Sequence, residues 1–296
     1  MILNYYFLIL ELKYNPLTNK KIDISIIIIN FNTAYLAINA IRSCYRFIKK
    51  YTLQIIVVDN SSSDVEDLEK ELHLFPDVIL IKSTENIGFG RANNLGYRFA
   101  KGEFIFLMNS DSYLVNSNAI NLMIEPLRQL SNIAITGPSF LKKDGSKNYS
   151  YGNYLKFKKI LYDLNLFSIP KSQFHKYKTY SVCDFKKNVK VNYLIAAGIM
   201  IKSSIIKKMG LFDPQIFLYF EDMELGWRYN KEGYKSMIVP AATMVHLGGS
   251  SSSPSNTYIL SKIKKSKNYY IKKTIGVHAV FIIYFFNTLK KIKKII

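Results

Sequence analysis

Cysteines, acids and long apolar runs are all scarce in this chain of 296 residues. The two cysteines, Cys44 and Cys183, stand far apart and make no CxxC or other metal-type spacing. That excludes a disulfide framework and a cysteine-based zinc site, and it fits a reducing cytoplasm. Acids number 21 against 41 lysines and arginines, leaving a formal net charge of +20. Such a chain is drawn to polyanions, whether nucleic acid, anionic lipid or a phosphorylated substrate, and charge alone does not choose among them. The apolar stretch from Val277 to Phe286, broken by His278, falls short of the ~20 residues that a spanning helix needs, so it is expected to lie on a membrane rather than to cross one. The apolar opening, Met1 to Leu10, has neither a basic leader nor a small-residue cleavage site and runs straight into Glu11, which argues against a secretory signal. Residues 1–22 are read as an irregular leader, and no internal repeat is visible.

What is present is apolar and patterned. With 49% hydrophobic residues, the chain can bury one large α/β core. Ile24 to Ile29 and Ile55 to Val58 are short β-branched runs separated by Leu36, Ala40, Ile41, Cys44, Phe47 and Ile48 at helical spacing, which reads as a βαβ unit. Val78 to Ile81, Phe104 to Leu107 and Ile133 to Thr136 add strands, with a helix expected from Arg91 to Ala100. The pattern predicts an α/β fold with a mostly parallel central sheet flanked by helices. It dissolves over about 142–190, a lysine- and tyrosine-rich stretch with a break at Pro170, read as a variable insertion within a domain spanning 23–257. Order returns at Tyr193 to Ile201 and at Ser236 to Val239. Residues 258–296 read as basic amphipathic helices suited to a membrane surface.

In an open α/β sheet, ligands bind beyond the carboxyl ends of the strands, and here each strand is followed there by polar residues. Asn30-Phe31-Asn32 follows the first strand and Asp59-Asn60 the second. Asn86-Ile87-Gly88-Phe89-Gly90 follows the third, and Asn109-Ser110-Asp111 the fourth. Singly, Asp59 or Asp111 is an ordinary turn or helix cap; their recurrence after successive strands favours a binding edge. Asp111 is a candidate ligand for a magnesium-like cation that also takes diphosphate oxygens, and His246, after a later strand, is either a second ligand or a structural histidine. Gly88, Gly90 and Gly96 allow close backbone approach, but Asn93 stands where a dinucleotide motif needs its third glycine. Glu221 and Asp222 open a helix and are either favourable first-turn acids or a general base among Phe217, Tyr219, Phe220 and Trp227, aromatics able to desolvate a carboxylate and carry a sugar. Arg91 and Arg228 are candidates for the diphosphate, with plain surface solvation as the alternative.

Taken in order, these motifs resemble glycosyltransferase family 2, the inverting enzymes of the GT-A fold, and especially its bacterial rhamnosyltransferase-like members. The likeness is carried by Ile28-Ile29-Asn30-Phe31-Asn32, Val58-Asp59-Asn60-Ser61-Ser62-Ser63-Asp64, Asn86 to Gly96, Met108-Asn109-Ser110-Asp111, Gly210-Leu211-Phe212-Asp213, Phe217 to Leu225 and His246. Donor contacts are expected from Asn30, Asn32, Asp59, Asn60, Asn86, Gly88, Phe89, Arg91, Asn93, Asn109, Asp111 and Arg228, and the resemblance implies that Asp59 contacts the nucleotide base. It implies a divalent metal, Mg2+ or Mn2+, on Asp111 and His246 and Asp222 as catalytic base beside Glu221, while Tyr219 and Trp227, among the aromatics named above, are expected toward the acceptor. Asn109 stands where the family's metal motif has an acid, and Glu224 where aspartate is common.

The expected partners are a UDP- or dTDP-sugar, a saccharide or lipid-linked acceptor in cell-surface polysaccharide synthesis, and an anionic membrane at the inner face of the cell. A basic nucleic-acid-binding protein is the rival from another class. It leaves the ordered acids unexplained, since they would repel phosphate at the binding edge, and no RNA-recognition or helix-turn-helix pattern is evident. An inactive sugar-nucleotide-binding relative is the third reading, against which the intact Glu221-Asp222 pair argues.

Overall fold

The structure, a computed structural model, describes residues 21–248 and 257–292 apart from 165, 167, 169–175 and 177. Nearly all of the expected leader, and the break at Pro170, lie outside the described residues. The first half alternates strand and helix: β1 Ile24–Asn30, α1 Ala34–Phe47, β2 Leu53–Asp59, α2 Val65–Leu72, β3 Ile79–Lys82, α3 Phe89–Tyr97 and β4 Phe104–Asn109. Every residue of β1 is buried, as a central parallel strand covered on both faces requires. Its side chains alternate between two cores. Ile24, Ile26 and Ile28 pack with the buried face of α1, while Ile27 and Ile29 pack with Ala92 of α3 and with Leu225 and Tyr229 on the opposite side. Both cysteines are buried, and burial pushes the Cys44 thiol up to about 12.

α3 begins two residues before the expected Arg91 and ends three before Ala100. Its start is fixed by Gly88 at φ +87° and by the bond from Phe89 N to Phe217 O at 3.0 Å. A Cβ on Gly88 would lie 2.3 Å from that same oxygen, so no larger residue fits. Beyond Tyr97 the chain tightens into three-residue turns, Arg98 N to Leu95 O and Phe99 N to Gly96 O, which end the helix.

Short β5 Ser112–Leu114, α4 Ala119–Gln129 and β6 Ile133–Leu141 follow. The stretch expected to be a patternless insertion instead forms β7 Tyr149–Gly152, α5 Phe157–Asp163, β8 Ser181–Val182 and β9 Val189–Val191. Strands of two to four residues are too short to show a period, which is why the sequence looked featureless there. Tyr193 to Ile201 divides into β10 Tyr193–Leu194 and β11 Gly198–Lys202. α6 Ser203–Met209, α7 Glu221–Lys231, β12 Lys235–His246, α8 Thr257–Thr274 and α9 Val277–Ile292 complete the chain.

The main sheet runs β3-β2-β1-β4-β11-β6-β12-β5, with β9 paired to β12; a small antiparallel sheet runs β10-β7-β8. β3, β2, β1 and β4 are parallel, as are β6 and β12. β11 runs antiparallel to β4 and β6, so its leading residues reach the edge where β1, β2 and β4 end. The fold is mostly parallel α/β, and one edge of its sheet gathers strand ends from both directions.

The basic tail is docked. Ser266 of α8 is buried, and its hydroxyl accepts from Phe217 N at 3.1 Å and Leu218 N at 3.4 Å. Tyr269 donates to Asp213 at 2.9 Å. Lys273 donates to Asp213 and, at 2.7 Å, to Glu224, a fully buried acid that also holds Arg228. A third core joins Ile160, Tyr193, Met223, Tyr270, Ile271 and Ala279, fastening α5, α7, α8 and α9 together.

Candidate active site

The loops after β1 and β2 are braced around one amide. Asn30 Nδ2 donates to Asp59 at 2.9 Å, with Ser62 and Asp64 at 3.1 and 3.2 Å, and its Oδ1 accepts from Thr33. Asp59 also accepts from Ser62 N, and Asp64 accepts from Ala34 N at 2.7 Å, which secures the start of α1. One layer out, Asn60 donates to Asn86 Oδ1 at 2.9 Å and accepts from Ile87 N, locking the β2 and β3 loops together. Asn32 and Ser61 hold left-handed backbone in these loops, and Tyr219 and Phe220 do so immediately before α7. Four such non-glycine residues around one edge store strain where a ligand site is shaped.

A cavity of about 570 Å³ opens at this edge. Asn32, Asn60, Asn86, Gly88 and Phe89 line one side; Asn109, Ser110, Asp111 and His246 form a second; Tyr219, Glu221 and Asp222 form a third. Asp111 is buried, its Oδ2 accepting from Gly248 N at 3.1 Å while Oδ1 lies 3.4 Å from His246 Nε2. Nearby, Asn109 Oδ1 is buried with no hydrogen-bond partner. A carboxylate, an imidazole and an unsatisfied amide oxygen suit a hard or borderline divalent cation. No set of three or more His, Cys, Asp or Glu side chains among the described residues forms a closed metal cage. An ion here would therefore complete its shell with diphosphate oxygens and water, as magnesium-like ions do.

Glu221 and Asp222 begin α7, where the helix dipole favours negative charge. Burial outweighs that benefit. Desolvation pushes both carboxyls above the ordinary carboxylate range, and Glu221 is pushed further by the charge of Asp222. Glu221 Oε2 is buried without a partner, whereas Asp222 is only half-buried, with one oxygen accepting from Met223 N at 2.7 Å. These are not ordinary capping acids. Because the folded state holds the Glu221 proton more tightly than the unfolded chain does, native stability falls as pH rises above the unfolded value of ~4.3. Glu221→Gln is therefore expected to raise the melting temperature, by little near pH 4 and by the equivalent of several kcal/mol, roughly 5 at most, near pH 8. Thermal scans across that range check it, and a gain that shrinks with pH would contradict the burial of an ionisable Glu221.

Several expected positions lie elsewhere. Arg228 does not reach the cavity: its guanidinium is taken up by Glu224 and by the carbonyls of Met209, Gly210 and Leu211, which leaves no fork for a diphosphate. Trp227 also lies off the cavity, its ring beneath Lys231 at 5.2 Å, because α7 turns that face outward. Arg91 donates to Pro214 O at 2.6 Å and is not among the lining residues. Asn30, Asp59 and Asn93 brace the wall from behind, Asn93 by donating to Phe89 O at 3.0 Å. Sequence reasoning missed the wall supplied by the insertion: Asn148, which donates to the His246 carbonyl at 2.7 Å, and Tyr149 and Tyr180.

Comparison with known proteins identifies the family and the fold. Glycosyl transferase family 2 matches residues 25–209. The dTDP-rhamnosyl transferase RfbF of Shigella flexneri is 26% identical over 239 residues, 78% of this chain and 71% of that protein. The low-salt glycan biosynthesis hexosyltransferase Agl10 of Haloferax volcanii is 25% identical, over 71% of this chain and 62% of its own length. Among solved structures, GalNAc-T7 with UDP, GalNAc and Mn2+ aligns with a TM-score of 0.58 at 16% identity, over 86% of this chain and 50% of that one. The mannosyltransferase PcManGT from Pyrobaculum calidifontis, in complex with GDP-Man and Mn2+, aligns at 0.57 and 14%, over 87% and 65%. The chain thus spans less than two thirds of the Haloferax relative and of both solved chains, and the structural likeness establishes the GT-A fold. With a matched region covering most of the chain, this protein belongs to glycosyl transferase family 2, among relatives that include rhamnosyltransferases.

Proposed function

We propose that this glycosyltransferase moves a hexose, rhamnose or another, from a UDP- or dTDP-sugar to a saccharide or lipid-linked saccharide, with inversion at the anomeric carbon and with a divalent metal. One observation carries the reading: a single cavity is lined by Asp111 and His246 on one side and by the buried Glu221–Asp222 pair on another. Asp222 takes the acceptor hydroxyl proton as the new glycosidic bond forms, since it is the more open member of the pair and the one poised to lose its proton first. Asp111, His246 and Asn109 would hold Mg2+ or Mn2+, which when bound supplies charge neutralisation for the departing diphosphate. Asn60, Asn86 and the backbone at Gly88 face the nucleotide, with Asp59 bracing them. The relatives named for dTDP-rhamnosyl and hexosyl transfer, and neighbours captured with Mn2+ and UDP or GDP-Man, support the donor class.

Calorimetry with a panel of UDP- and dTDP-sugars, with and without Mg2+ or Mn2+, tests the reading. Metal-dependent binding of one donor is expected, weakened more than about 100-fold in Asp111→Ala, since even outer-shell partners of a bound metal are worth roughly 10- to 100-fold. Unchanged donor affinity in that variant would remove Asp111 from the metal site.

A membrane surface is the second part of the proposal, and it rests on α9. Among the described residues no helix is long and apolar enough to cross a membrane. Yet Val277, Phe281, Tyr284, Phe285 and Leu289 recur along α9 at three- and four-residue spacing, and all are exposed. Exposed Lys264, Lys265, Lys267 and Lys272 stand on adjoining α8, and Lys264 lies 5.8 Å from the Tyr284 ring. An apolar stripe beside lysines matches an anionic bilayer. Phe281→Ser with Phe285→Ser is expected to cut co-sedimentation with anionic vesicles at least about tenfold. Binding of the parent chain that ignores lipid charge would refute the electrostatic part.

A further inference from the structure

The insertion builds a second cavity, of about 630 Å³, between the small sheet and β9 at the border of the main sheet. Its charge is one-sided. Lys156, Lys176, Lys178 and Lys190 line it, and the one acid lining it among the described residues, Asp184, is already paired with Lys147. Lys190 projects from β9 where that strand pairs with Met237 of β12, while Lys178 lies beside β7, its carbonyl accepting from Asn153. The four lysines thus come from separate segments and line one hollow. Two residues belong to both cavities, Tyr149 and Tyr180, whose rings lie 5.9 Å apart and are each substantially exposed. They form the partition between the catalytic pair and the lysines.

We propose that this second cavity is an acceptor subsite for an anionic group: it holds a phosphate carried by the acceptor saccharide while Tyr149 and Tyr180 hold the sugar beside Asp222. Lysine is a point charge with three rotatable donors, suited to a tetrahedral phosphate rather than to planar bidentate recognition. Exposed aromatic faces give a sugar ring a flat apolar platform. The placement also gives the chain's basic excess a local purpose, since positive charge focused in a cleft raises the concentration of an anionic substrate at its mouth. The inference rests on the transfer reading for the word acceptor, and on the cavity itself for the anion.

The test compares glucose 6-phosphate with glucose by ligand-observed NMR titration in the presence of a chelator, so that metal-assisted binding at Asp111 makes no contribution. The parent chain and Asp111→Ala are both expected to prefer the phosphorylated sugar by about tenfold or more. Lys178→Glu with Lys190→Glu, both at exposed positions, is expected to erase that preference while leaving metal-dependent donor binding within about twofold. Tyr180→Ala is expected to weaken both sugars alike. A prenyl-diphosphate-linked glucose extends the series: tighter binding than glucose 6-phosphate assigns a lipid-borne phosphate, equal binding assigns a soluble one, and both sustain the subsite. No phosphate preference in the parent chain, or a preference that survives the double variant, overturns it. Donor binding measured on the same samples separates the two ideas: donor binding without phosphate preference sinks the subsite alone, whereas phosphate preference with no donor bound under any metal sinks the transfer reading and the acceptor role with it.

Discussion

Asp222→Asn is expected to lower kcat by about 10²- to 10⁴-fold while leaving donor affinity within about threefold, the signature of losing a proton acceptor that acts only in the transition state. Asparagine keeps the shape and the bond from Met223 N but cannot take a proton. The pH profile makes the assignment sharper. Asp222 is pushed up to about 6 and Glu221 to about 8, chiefly by burial, with Glu221 also opposed by its neighbour's charge. The two titrate as a pair, and the first proton leaves mainly from Asp222. Transfer therefore rises with pH as Asp222 ionises, on an acid limb well above the ordinary carboxylate value, and Asp222→Asn abolishes that limb. Glu221→Gln leaves the limb nearly in place, because Glu221 is still protonated and uncharged while Asp222 ionises, and it reduces kcat at neutral pH far less. Initial rates from pH 4.5 to 8.5 decide the matter; an acid limb that persists in Asp222→Asn would shift the role of base to Glu221.

Glu224→Ala is expected to destabilise the chain by about 3 to 5 kcal/mol, the loss seen when a buried ion pair is broken by removing one partner. The carboxylate is fully buried and bridges Arg228 of α7 and Lys273 of α8, so its removal leaves two cations facing each other with no acid between them. Lys273 would keep Asp213 and Arg228 would keep its three carbonyls, which makes the α7–α8 contact the first to loosen. Urea unfolding measures the energy, and limited proteolysis reads the site: cleavage within α8 should precede cleavage of the sheet. Equal stability of Glu224→Ala and parent would show that the cluster contributes only position.

The central sheet was legible because β1, β2 and β4 are buried on both faces and so are written as unbroken β-branched or aromatic runs. The edge position of Asp111 was legible for a related reason, since polar residues just after such a run sit at the sheet's edge, whereas His246 closes β12, a strand that runs seven residues past the expected Val239. What failed was direction on α7. Arg228 and Trp227 are adjacent in sequence but point 100° apart, and neither faces the cavity. The four-residue spacing from Glu224 to Arg228 was the available signal, since side chains so placed meet on a helix surface. Lys273, 49 residues from Glu224, had no such local sign. Nor did Tyr149 and Tyr180, which lie in or beside strands of two to four residues whose partners are fixed only by tertiary packing.

The burial of Cys44 and Cys183 has a practical use. Thiol reagents need an exposed, ionisable sulfur, and Cys44, pushed up to about 12, is neither. With both native thiols shielded in the cores, a single cysteine introduced on the outer stripe of α9 or at the rim of the tyrosine partition would take a fluorophore or spin label selectively. The folded protein thereby offers a nearly blank background for following its approach to a lipid surface or to a sugar, one labelled position at a time.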